Sequence, residues 1–223
     1  MRPRLLDLFC GAGGAAVGYH RAGFEVVGVD IVRQPNYPFE FVQDDALALL
    51  STFTPSVNGW WDEPPFDAIH ASPPCQEYSS AGKANKVTLG TVYVDLYEAT
   101  RTLLEQTGLP WVIENVTAAP SRSGMVLCGS MFGLPIRRHR TFESSHLMLC
   151  PAHCDHKPDA ITVTGHSPQR WLSGARKTVT RDEYERAMGI DWMTTAELVQ
   201  AIPPVYTELI GHQLMQHIRV RAA

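Results

Sequence analysis

Residues 5–30, Leu5-Leu6-Asp7-Leu8-Phe9-Cys10-Gly11-Ala12-Gly13-Gly14-Ala15-Ala16-Val17-Gly18-Tyr19-His20-Arg21-Ala22-Gly23-Phe24-Glu25-Val26-Val27-Gly28-Val29-Asp30, decide the fold. The apolar run 5–9 reads as a buried strand, Gly11 to Gly14 as a tight turn, and Ala15 to Ala22 as a helix closed by Gly23. A second strand, 25–29, ends at Asp30. This βαβ opening implies an α/β protein with a mostly parallel sheet and helices on both faces. Glycines in the turn let the backbone approach a ligand. An acid about 20 residues on is placed to hold ribose hydroxyls in a nucleoside-binding unit. The spacing departs from G-x-G-x-x-G, so the turn alone fits either a nucleoside site or a purely structural role.

Outward from this unit the pattern repeats. Phe39 to Val42 reads as a third strand, followed by Asp44-Asp45 and a short helix, and Ser51 to Pro65, with Trp60-Trp61, as a surface connection. Asp67 to His70 is a fourth strand, Val92 to Gln106 has helical spacing ended by Gly108, and Pro110 to Ile113 is a fifth strand. Periodicity weakens from Cys150 to Thr180, where Pro, Gly, Ser and His are frequent. Helices follow at Arg181–Met188 and Pro204–Ile218, the second opening with prolines suited to a first turn. The expected organisation is a catalytic and cofactor-binding domain over 1–142, a small lobe over 143–180, and C-terminal helices over 181–223 that pack back on the first domain.

The bulk numbers describe an ordinary globule of 223 residues, 44% hydrophobic and 19% charged. No apolar run is long enough to span a membrane, and Met1 leads into a strand with no signal-peptide design. Five cysteines cannot all pair within the chain, which points to a reducing, cytoplasmic compartment. The net charge of −4 is unevenly placed. Between Ser121 and Arg181 nine basic residues face three acids, a net +6 that leaves −10 for the rest. Three arginines within four residues (Arg137, Arg138, Arg140) mark this stretch as a face for a polyanion.

Two further segments carry chemistry. Ser72-Pro73-Pro74-Cys75-Gln76 follows the fourth strand, so Cys75 is held by two prolines, which restrict the backbone before it, and is poised as a nucleophile. Glu114-Asn115 ends the fifth strand and could set an acid beside it.

Together with Asp7-x-Phe9-x-Gly11-x-Gly13-Gly14, these segments resemble the cytosine-C5 DNA methyltransferases, in particular compact phage-like or bacterial members. The resemblance implies a Rossmann-like, S-adenosylmethionine-dependent fold with a small irregular insertion. It places S-adenosyl-L-methionine among Asp7, Phe9, Cys10, Gly11, Ala12, Gly13 and Gly14. Asp30, Ile31, Asp45, Ala46 and Pro73 complete that site, with Thr91 and Val92 as looser contacts. Phe9 would lie against the adenine, Asp30 would bind the ribose, and Asp45 would bond the adenine amine. The implied reaction adds the Cys75 thiolate to C6 of cytosine, which makes C5 enamine-like and able to accept a methyl group. Glu114 would neutralise N3, its pKa raised by burial against Trp111 and Val112. Asn115 would fix the loop or contact the cytosine amine. Arg138 and Arg140 resemble the Gln-x-Arg-x-Arg motif, with Ile136 in place of the glutamine; Arg140 is the one expected to face the base, and phosphate binding is the other reading of these arginines. Arg181-x-x-x-Glu185-x-x-Met188-Gly189 and Ala201-Ile202-Pro203-Pro204 to Gly211 resemble the last two motifs, with Val199-Gln200 where Gly-Asn is usual.

The implied partner is double-stranded DNA with the target base flipped out, read by a short lobe at a site of two to four base pairs. The same chemistry on tRNA or a free cytosine nucleotide, and a silent DNA-binding homologue, are the rivals. A monomer with no membrane partner is expected. The run His146, Cys150, His153, Cys154, His156 has spacings that could hold zinc, but Cys-x3-Cys-x-His is no established finger pattern and its ligands crowd one another, so no metal is expected.

Overall fold

The computed structural model describes residues 1–53, 65–79, 82, 87–88, 90, 92–156, 160–163, 169–170 and 176–221. The expected connection through Trp60-Trp61, most of the loop over 80–91 with Thr91, and Lys157 lie outside the described residues.

The N-terminal run forms β1 (Arg4–Leu8), flanked in parallel by β2 (Glu25–Asp30) and β4 (Ala68–Ala71). β3 (Glu40–Gln43) continues beyond β2, and β5 (Trp111–Asn115) beyond β4, both in parallel. β7 (Arg140–Ser144) then pairs antiparallel with β5, and β6 (Gly124–Leu127) closes the edge, giving the order β3-β2-β1-β4-β5-β7-β6. Strand order reverses between β1 and β4. Ligands of open α/β sheets bind outside the carboxyl ends of the strands at such a switch point. The glycine turn leaves β1 and the Cys75 loop leaves β4, so both deliver their residues there.

Alternation along the strands sorts side chains into two layers. Leu5, Ala68, Val112 and Phe142 face α1 (Gly14–Arg21) and α6 (Pro204–Arg221), against Tyr19, Tyr206, Ile210 and Leu214. Leu6, Leu8, Ile69, Ala71 and Ile113 face α2 (Ala46–Thr52) and α3 (Tyr97–Thr107), against Leu50, Tyr97 and Leu104. α1 and α6 approach closely because Gly18 has no side chain: a Cβ there would stand 2.1 Å from the Pro204 carbonyl oxygen. A third cluster joins α4 (Arg181–Met188) and α5 (Thr195–Gln200) to Ile136 and Val163 through Tyr184, Ala187, Met188 and Leu198. Both helices open with a Thr–Glu capping box, Thr180 with Glu183 and Thr194 with Glu197, which satisfies two otherwise free backbone donors. Of the lobe, the described residues include a two-stranded ribbon, β8 (Gln169–Arg170) with β9 (Arg176–Lys177), and a bridge between Ile136 and Ile161.

Three expectations need correction. The helix expected from Val92 begins at Tyr97, because the Asp95 carboxylate accepts from the Tyr97 amide at 2.9 Å and sets the start there; Val92 and Val94 stay exposed. β7 runs through Ser144, so the catalytic sheet extends past residue 142. α5 was not among the expected helices, its six residues being too few to show a period. No helix among the described residues is long and apolar enough to cross a membrane.

Candidate active site

One cavity of about 550 Å³ lies over the switch point, within the ~300–1,000 Å³ usual for small-molecule sites. At one end are Phe9, Cys10, Gly11, Ala12, Asp30 and Ile31; at the other are Ser72, Pro73, Cys75, Glu114 and Arg140. Segments distant in sequence therefore share a single chamber.

The glycine-turn end is built around Asp30. Its two carboxylate oxygens accept from the Gly11 amide (3.0 Å) and the Val32 amide (2.9 Å), tying the turn after β1 to the loop after β2. Phe9 has φ of 56°, a left-handed conformation uncommon outside glycine, and this turns the chain sharply at the cavity floor. Phe9 and the exposed Ile31 and Val32 give this end an apolar lining suited to a flat aromatic group. The far wall comes from α5 and its exit, with Glu197, Gln200 and Ile202. Asn36 donates to both Glu197 oxygens at 3.1 and 2.9 Å, clasping the β2–β3 connection to α5.

Several residues expected at the cofactor do not line this cavity. Asp7 is fully buried beneath the turn and does not line the cavity. Burial pushes its carboxyl well above the ordinary range, with the charges of Asp30 and Glu114 adding to the rise; the Tyr37 hydroxyl approaches and opposes it without completing a hydrogen bond. Gly13, at φ 85°, lies against Pro38 and Tyr37, which a Cβ would meet at 2.7 and 3.1 Å. Asp45 caps α2, its Oδ1 accepting from Leu47 and Ala48, and neither it nor the buried Ala46 lines the cavity. Val92 is also outside it.

The Cys75 end is held by a strap. Asn115 Nδ2 donates to the Pro73 carbonyl at 2.9 Å while its Oδ1 accepts from the Val116 amide at 2.9 Å, so the end of β5 grips the loop after β4. Beyond the prolines the Cys75 carbonyl accepts from the Tyr78 and Ser79 amides, which turns the chain and leaves the thiol half-buried. Burial raises the Cys75 thiol; Arg140 opposes the rise and Glu114 adds to it. Glu114 is buried, which raises its carboxyl, and Arg140, Arg138 and the Ser72 hydroxyl draw it back part of the way. Arg140 Nε lies 2.9 Å from Glu114 Oε1, an ion pair that draws the carboxyl down.

Arg138, the other arginine of the motif, does not line the cavity. Its guanidinium donates to the carbonyls of Val163 (3.3 Å) and Val199 (2.7 Å), and its own carbonyl accepts from Tyr206. Burial lowers its pKa to about 9. It reaches the site only as a positive charge felt by Cys75 and Glu114. Arg138 lies before the strand, in the irregular segment, whereas Arg140 opens β7 beside Glu114.

A chain of polar groups behind Glu114 was not expected from sequence. Tyr19 Oη lies 3.0 Å from His70 Nδ1, and His70 Nε2 lies 3.0 Å from Ser72 Oγ. His70 is fully buried and its pKa falls to about 3 by burial, so the ring is neutral, with one nitrogen donating and one accepting. Because Ala71 pairs with Ile113, Ser72 emerges beside Glu114, and the chain ends at the carboxyl. A buried histidine in a strand carries no sequence signal that separates it from a core residue; the register supplies it.

With this geometry in place, the comparisons with known proteins are direct. The chain belongs to the C-5 cytosine-specific DNA methylase family, whose model matches residues 3–124. It is 32% identical over 174 residues to the Type II methyltransferase M.HgiDI of Herpetosiphon aurantiacus, a match covering 64% of this chain and 52% of that protein, so it spans about half the relative's length. It is 34% identical over 96 residues to the Type II methyltransferase M.HgiGI of the same organism, covering 37% of this chain and 68% of that one. In fold it is similar to the S. pombe Dnmt2 methyltransferase, with a TM-score of 0.60, 14% identity and coverage of 98% and 99% of the two chains.

Proposed function

We propose that this chain methylates cytosine at C5 in double-stranded DNA, with S-adenosyl-L-methionine as donor. The observation that carries the reading is the single cavity joining the glycine turn and Asp30 to Cys75, Glu114 and Arg140. Apolar Phe9, Ile31 and Val32 suit an adenine, and Asp30, with lone pairs left beyond its two amide bonds, suits ribose hydroxyls. The bound cofactor would supply an electrophilic methyl group. Everything else falls to the chain.

C5 and C6 of cytosine are hidden in a duplex, so the base is flipped into the chamber. Cys75, as thiolate, adds to C6; the ring electrons move towards N3, where protonated Glu114 donates its proton. C5 then takes the methyl group; loss of the C5 proton to a base expels the thiolate as the C5–C6 double bond returns, and N3 gives its proton back to Glu114. The raised Glu114 carboxyl suits the donor role. Burial raises the Cys75 thiol and Arg140 opposes the rise, so Arg140 is the nearby group that favours the thiolate.

The lobe between β7 and α4 is short, which favours a recognition site of two to four base pairs. A monomer in a reducing cytoplasm is part of the reading, in keeping with five free cysteines. The test is incubation with S-adenosylmethionine and unmethylated DNA, digestion to nucleosides, and mass analysis, with Cys75→Ala alongside. A gain of about 14 daltons on deoxycytidine that vanishes in the variant is expected. Gain only on tRNA or a free nucleotide would move the substrate, and none on any would remove the activity.

A further inference from the structure

The local run His146 to His156 argues against a metal, yet the fold assembles a different set of ligands. Cys128, just after β6, and His139, just before β7, meet Cys154 and His156, and the four donor atoms all lie within 4.8 Å of one another. Cys128 Sγ is 3.4 Å from His156 Nε2, and Cys154 Sγ is 3.5 Å from His139 Nε2. With zinc–sulfur bonds of ~2.3 Å and zinc–nitrogen bonds of ~2.0–2.1 Å, a tetrahedral site has sulfur–nitrogen edges of about 3.5 Å. The observed separations match these edges. The two imidazoles meet edge to face, 85° apart with centroids at 4.9 Å, which leaves both Nε2 atoms free to turn towards one ion.

The surroundings are those of a ligated thiolate. Ser130 Oγ donates to Cys128 Sγ at 3.6 Å and accepts from the Asp155 amide at 3.3 Å, linking the buried sulfur to the exposed segment that carries the other two ligands. His146 and Cys150, which the local spacing suggested, are occupied elsewhere: His146 stacks on His217 at 4.8 Å, and Cys150 Sγ donates to the Ala152 carbonyl at 3.3 Å. Residues 151–156 are exposed and without regular structure, and no apolar core among the described residues explains why Cys154 and His156 converge on Cys128.

We propose that Cys128, His139, Cys154 and His156 bind one structural zinc ion that fastens the start of the recognition lobe to the strand carrying Arg140. Two thiolates and two imidazoles in tetrahedral array favour zinc over harder cations, and all four positions are filled by protein, so the site is structural and has no place for substrate. His139 immediately precedes Arg140, so the ion also fixes the entry to β7.

The experiment is elemental analysis of the full chain purified without chelator, combined with thiol titration. About one zinc per chain is expected, with two of the five thiols protected until a strong chelator releases the metal. Cobalt substitution should give the visible bands and sulfur charge-transfer absorption of a tetrahedral thiolate site. Cys154→Ser should lower zinc at least fivefold while Cys150→Ser and His153→Ala keep it at one per chain. Less than about one tenth of a zinc per chain after reconstitution would overturn the proposal. So would a Cys128–Cys154 disulfide in the native protein, or full zinc retention in a Cys128→Ser, Cys154→Ser double variant. None of these readings depends on methyl transfer, so the metal site and the activity stand or fall separately.

Discussion

Replacing Asn115 by alanine should separate the placement of the nucleophile from its chemistry. Asn115 is 1% exposed and makes two hydrogen bonds of 2.9 Å, one to the Pro73 carbonyl and one from the Val116 amide. Alanine leaves both backbone groups without partners. A buried orphan costs about 1–3 kcal/mol, and water can reach Val116, which is only half-buried, so the total should be about 2–4 kcal/mol. In a chain of this size that corresponds to a fall in melting temperature of roughly 4–16 °C. The larger effect should fall on rate. The strap fixes the loop two residues before Cys75, and a displacement of about 1 Å in a reacting atom costs on the order of 10²-fold. Single-turnover methylation at saturating DNA and cofactor, well below the melting temperature, measures this. Asn115→Asp keeps the acceptor for Val116 but sets a buried carboxylate against a carbonyl, so it should be at least as slow and melt at least as early. If Asn115→Ala melts early yet reacts within about twofold of the parent, the strap does not position Cys75 and the argument fails.

Three further outcomes follow from the same geometry. Glu114→Gln keeps the shape but cannot protonate N3, so the methylation rate should fall by about 10²- to 10⁴-fold with little change in melting; a rate within tenfold would remove Glu114 as the acid. Gly18→Ala should destabilise by about 1–3 kcal/mol, because its Cβ would meet the Pro204 carbonyl at 2.1 Å, although helix propensity alone predicts a gain of ~1 kcal/mol; urea denaturation decides the sign. The buried Asp7 carboxyl titrates above its unfolded value, so the folded state holds a proton that the unfolded chain has released. Stability is therefore full below the unfolded pKa and declines as pH rises towards the folded one, by up to about 1.4 kcal/mol per pH unit. Asp7→Asn should flatten that slope in urea melts between pH 5 and 8, and an unchanged slope would mean that Asp7 is ionised in the fold.

Much of this was legible in the chain itself. The βαβ opening follows from a short apolar run, a glycine turn and a second run, because each is a local signal with one inexpensive conformation. The convergence of Cys75 and Glu114 follows from their places after adjacent parallel strands. What the chain conceals depends on register or on distant contacts. The sequence singles out Arg140 over Arg138, but it does not show that Arg138 clamps the carbonyls of Val163 and Val199. Asp7 matches a motif but lies under it, because alternation sends its side chain into the layer beside Tyr37. Asp45 also caps α2 through Oδ1, a use that the motif does not show. Cys128 and His139 join Cys154 and His156 only through the pairing of β6 with β7, which no spacing rule contains.

The Arg138 clamp bears on how such a chain can change over time. One guanidinium holds Val163 and Val199, points on either side of the ribbon and of α4. Whatever lies between them begins and returns at a fixed place, and lengthening a closed loop costs little, ~0.6 kcal/mol for each doubling. The insertion can thus be swapped, shortened or extended while the chamber keeps its shape. Specificity and chemistry are then heritable as separate modules, and a graft of a relative's insertion between 163 and 181 is the natural way to give this scaffold a new target.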